Sequence, residues 1–134
     1  MSLTVVGSVA FDAVATPVAS RDRMLGGAAT HFALAASFFD DEHMVGVVGA
    51  AFSAEDEAVL PRPKIDTTDI EHVEGGKTFF WSGRYHDNMN SRDTLDTQLN
   101  VFETFQPKLS EASKAAKTVF LANIQPSLQL DVLE

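Results

Sequence analysis

The stretch "LGGAATHFALAASFF", residues 25–39, sets a glycine pair directly before an alanine-rich apolar run. Ala28, Phe32, Ala35, Ala36 and Phe39 recur at helical spacing, so the run predicts a helix over 28–39 that stops at Asp40-Asp41. Two glycines at its start mean either an awkward turn of the main chain or a close approach of something to it. The flanking segments bear on which.

Before the glycines, "LTVVGSVAFD" (3–12) is a short apolar run broken at Gly7-Ser8, which reads as a buried strand. "AVATPVASRDRML" (13–25) leans towards β structure, but Pro17 suits an edge strand or an extended excursion. After the helix, "HMVGVVGAAF" (43–52) predicts a second buried strand. Ser53 then caps a short helix with Glu55 and Asp56 in its first turn, and Pro61 and Pro63 end it. From 70 to 105 the pattern changes. Phe79, Trp81, Gly83 and Tyr85 alternate with Thr78, Phe80, Ser82 and Arg84, the period of an antiparallel strand, and "TLDTQLNVFETF" can return as its partner. "PKLSEASKAAK" (107–117) predicts a helix with Pro107 near its start, "TVFLAN" (118–123) a third buried strand, and "PSLQLDVLE" (126–134) the beginning of another helix. Strands alternating with helices imply a parallel sheet. With no strand after the last crossover, the chain reads as the front portion of a longer protein.

Composition narrows the class. At 134 residues and 45 % hydrophobic content, the chain can build one domain with a core. Nineteen acids against ten Lys and Arg give a net charge of -9, which argues against a general nucleic-acid or membrane-surface binder. There are no cysteines, hence no disulfides and no thiolate metal sites. The N-terminus lacks the basic start and apolar region of a signal peptide, and no run approaches a membrane span, so a cytoplasmic protein is expected. His43, His72 and His86 show no ligand spacing, so no metal site is expected.

Ligands of open parallel sheets gather at the carboxyl ends of the strands. Asp12 lies just beyond the first strand, and Gly26-Gly27 open the following helix, whose free N–H groups suit hydroxyl oxygens or anions. A carboxylate there can accept from two neighbouring hydroxyls. The combination describes a pocket for a polyhydroxylated molecule; the plainer reading is a turn with a capping aspartate. Neither G-x-G-x-x-G nor G-x-x-x-x-G-K-[ST] occurs, which removes support for dinucleotide and P-loop sites. Asn123 and Gln125 follow the third strand at the same edge and are further candidate contacts. Phe79, Trp81 and Tyr85 share one strand face, fit for stacking on a base or sugar, for pairing with another subunit, or for ordinary sheet packing.

In their order, "VVGSVAFD" (5–12), "GGAATHFALAAS" (26–37), "VGVVG" (45–49) and "GGKTFFWSGRY" (75–85) resemble the N-terminal half of a ribokinase-like (PfkB family) carbohydrate or nucleoside kinase. The resemblance covers nearly all of the chain. It implies an incomplete three-layer α/β/α, Rossmann-like sandwich over residues 1–134, with a small β-sheet lid from segments of about 13–24 and 70–105. It implies transfer of the γ-phosphoryl of ATP, with Mg²⁺, to a hydroxyl of a sugar or nucleoside. Asp12 would bind substrate hydroxyls, Gly26 and Gly27 would contact the sugar through the backbone, and His31 stands where many members have Asn. Ala10 replaces a common Asn, and Ala50-Ala51 follow "VGVVG" where an acid is usual. The catalytic base and the ATP pocket belong to the family's other half, so no catalytic residue is assigned here and the chain alone is expected to be inactive. A homodimer through the lid fits the resemblance. The alternative function is a non-catalytic binding or assembly module that uses the aromatic lid face.

Overall fold

The computed structural model describes residues 2–60 and 64–134. Its first half contains β1 (Ser2–Val6), β2 (Ala10–Ala15), β3 (Ser20–Gly26), α1 (Ala28–Ala36), β4 (Asp41–Gly49), α2 (Ala54–Glu57) and β5 (Ile65–Asp66). There follow β6 (Ile70–Val73), β7 (Phe79–Tyr85), β8 (Arg92–Gln98), a 3₁₀ turn at Asn100–Thr104, α3 (Glu111–Lys114), β9 (Thr118–Leu121) and α4 (Pro126–Leu133).

The valine runs form a parallel sheet in the order β5-β4-β1-β9, with β6 continuing alongside β4. Because strand side chains alternate, each run serves two cores. Val5, Met44 and Val48 face α1, where Ala29 and Ala33 allow the helix to lie close. Val6, Val45 and Val47 face the other way, onto Phe105, Leu109, Ile124 and Val132 of α4. Helical segments on both faces make the three layers of an α/β sandwich.

A second sheet, in the order β3-β2-β7-β8, stands apart from the first. A hairpin at Thr16–Ala19 joins β2 to β3, with the Thr16 N–H donating to the Ala19 carbonyl at 2.8 Å. β7 runs parallel to β2 and antiparallel to β8. Phe11, Leu25 and Phe80 tie one face of this sheet to the α1-side core.

Several boundaries differ from the expectations. The second sheet takes residues 10–26 and 79–98, not about 13–24 and 70–105. Ile70 is buried against the main sheet, where β6 pairs with β4, and the 3₁₀ turn packs Val101 and Phe102 onto the α4-side core. The expected helix at 107–117 shrinks to α3, because Ser110 rather than Pro107 caps it and Asp69 accepts from both the N–H (2.9 Å) and the hydroxyl (2.8 Å) of Ser110. α1 ends at Ala36 and continues to Asp40 only as a turn. β9, expected to be buried, leaves Val119 39 % and Phe120 40 % exposed, since it is the edge strand of its sheet among the described residues. The capping box of α2 forms as read, with Ser53 and Asp56 bonding reciprocally. The expected stop at Pro61 and Pro63 lies outside the described residues. Among them, no helix is long and apolar enough to cross a membrane.

One buried acid is at odds with its surroundings. Glu42 on β4 is 2 % exposed, and neither carboxyl oxygen has a hydrogen-bond partner among the described residues. Burial, with the Asp40 carboxylate adding to it, pushes the group from 4.5 up to about 7. The folded chain therefore holds this proton more tightly than the unfolded chain does. Its contribution to stability is full below the unfolded value, falls as pH rises towards 7, and stays reduced above that. Urea titrations at about pH 5 and pH 8 are expected to show wild type losing on the order of 2 kcal/mol more than Glu42→Gln. Equal losses in the two proteins would contradict a buried, neutral Glu42.

Candidate functional site

Strand β2 carries Asp12 on the face that also bears Ala10. Across β3 the residue opposite Ala10 is Gly26, so Gly26 lies diagonally from Asp12 on that face. A β-carbon at Gly26 would stand 2.7 Å from Asp12 Cγ and nearer still to Oδ2. The first glycine of the pair thus leaves a notch that the Asp12 carboxylate fills.

The second glycine has a different task. Gly27 is the N-cap of α1 with φ 95°, a left-handed conformation that a side chain would strain. A β-carbon there would also meet the carbonyl carbon of Ser8 at 2.8 Å and Val9 Cα at 2.9 Å. What approaches this backbone is the chain itself. The Ser8 carbonyl accepts from the Ala29 N–H (3.0 Å), and its hydroxyl oxygen accepts from the Ala28 N–H (2.9 Å). That hydroxyl donates to Asn123 Oδ1 at 2.8 Å. Two amides that the sequence offered to a ligand are thereby used internally. Ser8 was missed as a site residue, although its position just past the first strand, four residues before Asp12, was the available signal.

His31 sits in the first turn of α1, exposed, close enough to Asp12 for their charges to interact. Burial pushes the Asp12 carboxyl above the ordinary aspartate range, against an opposing pull from His31. Asp12, Gly26, Gly27 and His31 therefore share one place, and Asn123 joins them through Ser8. Gln125 stands apart: it is the exposed N-cap of α4, and its carbonyl accepts from the Gln129 N–H at 3.1 Å. A hollow of about 530 Å³ lies at the far end of the second sheet, lined by Pro17, Arg84, Tyr85 and His86 among others, and Asp12 does not line it.

A latch fixes the sheet behind Asp12. Arg23 on β3 donates two hydrogen bonds to Asp56 of α2, at 3.0 and 2.9 Å, and its guanidinium lies 3.8 Å over the Phe11 ring. Burial pushes the Asp56 carboxyl up, but hydrogen bonds from Arg23 and Ser53 outweigh it and hold the group below the usual range. Nothing local in the sequence pairs residue 23 with residue 56.

The two glycines should respond differently to the same change. Gly26→Ala displaces the flexible end of Asp12, so ligand affinity falls while the melting temperature stays close to wild type. Gly27→Ala meets rigid backbone at a positive φ and should cost about 1–3 kcal/mol of stability. Thermal melts paired with binding titrations check both; a large loss of stability in Gly26→Ala would refute the notch.

No known protein-family profile matches the chain, and no curated protein matches it in sequence. Among solved structures it is similar to the nucleoside kinase of Methanocaldococcus jannaschii, an archaeal member of the ribokinase family. That match has a TM-score of 0.74 at 19% identity and covers 96% of this chain and 46% of that one. It is also similar to ribokinase from Cryptococcus neoformans var. grubii in complex with ADP, with TM-score 0.70, 15% identity, and coverage of 98% and 44%. Halothermothrix orenii fructokinase gives 0.70 at 14% identity, covering 99% and 52%. The chain thus has the ribokinase-like α/β fold, over a length equal to about half of these kinases.

Proposed function

We propose that this chain is the substrate-binding half, with its lid, of an ATP-dependent kinase acting on a hydroxyl of a sugar or nucleoside. The observation that carries the reading is the Asp12 carboxylate, seated in the Gly26 notch at the start of α1 with His31 beside it. Its two oxygens can accept from two adjacent hydroxyls of one guest. The second sheet is the lid. Because β2 of that sheet carries Asp12, engaging the substrate and covering it become one event, which excludes water from the reacting hydroxyl. The Arg23–Asp56 latch holds the base of the lid to the body. Structural likeness to a nucleoside kinase, a ribokinase and a fructokinase supports the kinase class.

ATP and Mg²⁺ are implied by that class, and the residues present do not fit them. Among the described residues no group of three or more His, Asp or Glu could hold a metal ion. The glycine-flanked start of α1, the natural phosphate cradle, has its Ala28 and Ala29 amides bonded to Ser8. The role read here is therefore substrate binding, with phosphoryl transfer assigned to groups outside this chain.

Calorimetric titration of the protein carrying this chain with ribose, fructose and adenosine tests the site. Asp12→Ala is expected to weaken the accepted substrate roughly 10- to 100-fold, the value of one or two hydrogen bonds to a charged acceptor. Wild-type affinity should also fall on acidification, beginning at a higher pH than for an ordinary aspartate, because burial raises the group that must be ionised. Unchanged affinity in Asp12→Ala overturns the assignment.

A further inference from the structure

We infer that Ser8 is a positioning residue for this site: it fixes the side-chain amide of Asn123 so that the amide nitrogen, Nδ2, donates to an acceptor oxygen of the guest. The inference rests on the reading of Asp12 as the hydroxyl-binding group. It adds the donor that an ionised carboxylate lacks.

The placement starts at Gly7. A β-carbon there would stand 2.5 Å from Ala122 Cβ and 3.4 Å from Ala29 Cβ, so the end of β1 admits Ala122 this closely only because residue 7 has no side chain. Ala122 is held at both its polar atoms. Its N–H donates to the Val6 carbonyl (2.8 Å), and its carbonyl accepts from Gln129 Nε2 of α4 (2.8 Å) and from the Ile124 N–H (2.9 Å). Asn123 is thereby set beside Ser8, just past the carboxyl end of β9 and next to the start of α1.

The orientation of the amide follows from counting hydrogens. The Ser8 hydroxyl oxygen accepts from the Ala28 N–H at 2.9 Å, and its own hydrogen goes to Asn123 Oδ1 at 2.8 Å. Ser8 is 1 % exposed, so an amide turned the other way would leave that hydrogen buried without an acceptor. Nδ2 therefore points away from Ser8, and among the described residues nothing takes up its two N–H groups. A purely structural link needs only the oxygen, which an aspartate would supply as well; the amide adds donors on an exposed residue. Asp12, against Gly26, and Asn123, one hydroxyl away from Ala28, thus meet the start of α1 at positions two residues apart. A polyhydroxylated guest can answer both, giving hydroxyl hydrogens to Asp12 and an oxygen lone pair to Asn123.

Asn123→Asp separates the two halves of the amide, because it keeps the oxygen that Ser8 needs and removes the donor. The protein carrying this chain is titrated with ribose, fructose and adenosine. Asn123→Ala is expected to weaken the accepted compound roughly three- to tenfold, and Asn123→Asp at least as much with a melting temperature near wild type. Ser8→Ala lets the amide turn, so only about half the molecules present the donor and affinity falls about twofold. That loss should vanish in the Asn123→Ala background, since Ser8 acts through the amide. If Asp12→Ala weakens binding while Asn123→Ala and Asn123→Asp bind as wild type does, the hydroxyl site stands and the donor falls. A Ser8→Ala loss that persists in full without the amide overturns the positioning role. If Asp12→Ala changes nothing, or wild type binds none of the three compounds, the underlying site falls and takes this inference with it.

Discussion

Two groups compete for one volume at the start of α1: the carboxylate of Asp12 and any β-carbon on residue 26. Glycine resolves the conflict in favour of the acid. The carboxylate can then sit half-buried at the junction of the two sheets, where burial raises it and His31 pulls it back. Every other feature of the site follows from keeping that carboxylate in its notch. The β2–β3 hairpin sets the register, the Arg23–Asp56 pair anchors β3 to the body, and the Phe11 ring beneath the guanidinium closes the gap between them. The same register brings Trp81 alongside from β7.

Ser8 is the second organiser. One residue answers the two leading amides of α1 and reaches across to Asn123 beyond β9. Helix N-termini need partners for their free N–H groups, and a ligand is only one way to supply them. Here the supply is internal, so these two amides need no guest to satisfy them. On the proposed reading, binding falls to the side chains around it, chiefly Asp12 and His31. A preorganised acceptor of this kind loses little freedom when a hydroxyl docks.

The main sheet was legible where its physics is local. Val5 and Val6, and Met44 to Val48, form the buried strands that their apolar runs suggested, and the Ser53–Asp56 capping box lies within four residues of chain. It was less legible where burial depends on a distant neighbour. "TVFL" has the composition of a central strand, yet as β9 it lies at an edge among the described residues, with Phe120 stacked on Phe32 and still partly open. Ile70–Val73 sat in a stretch read as part of the lid, but its apolar residues found β4 instead. Pro107 looked like a helix start, whereas Asp69, some forty residues earlier, selected Ser110 as the cap.

The residue types of the site were in the sequence: an acid past the first strand, two glycines before a helix, a histidine one turn in, and aromatics on one strand face. Local periodicity and backbone freedom depend only on nearby residues, so they can be read along the chain. Which glycine serves which purpose was a tertiary decision. Residue 12 meets residue 26 through a strand register, residue 8 meets residue 123 through a crossover, and residue 23 meets residue 56 between two layers. Those distances arise only when the whole chain has packed, because the free energy that sets them is shared among cores on both faces of the sheet.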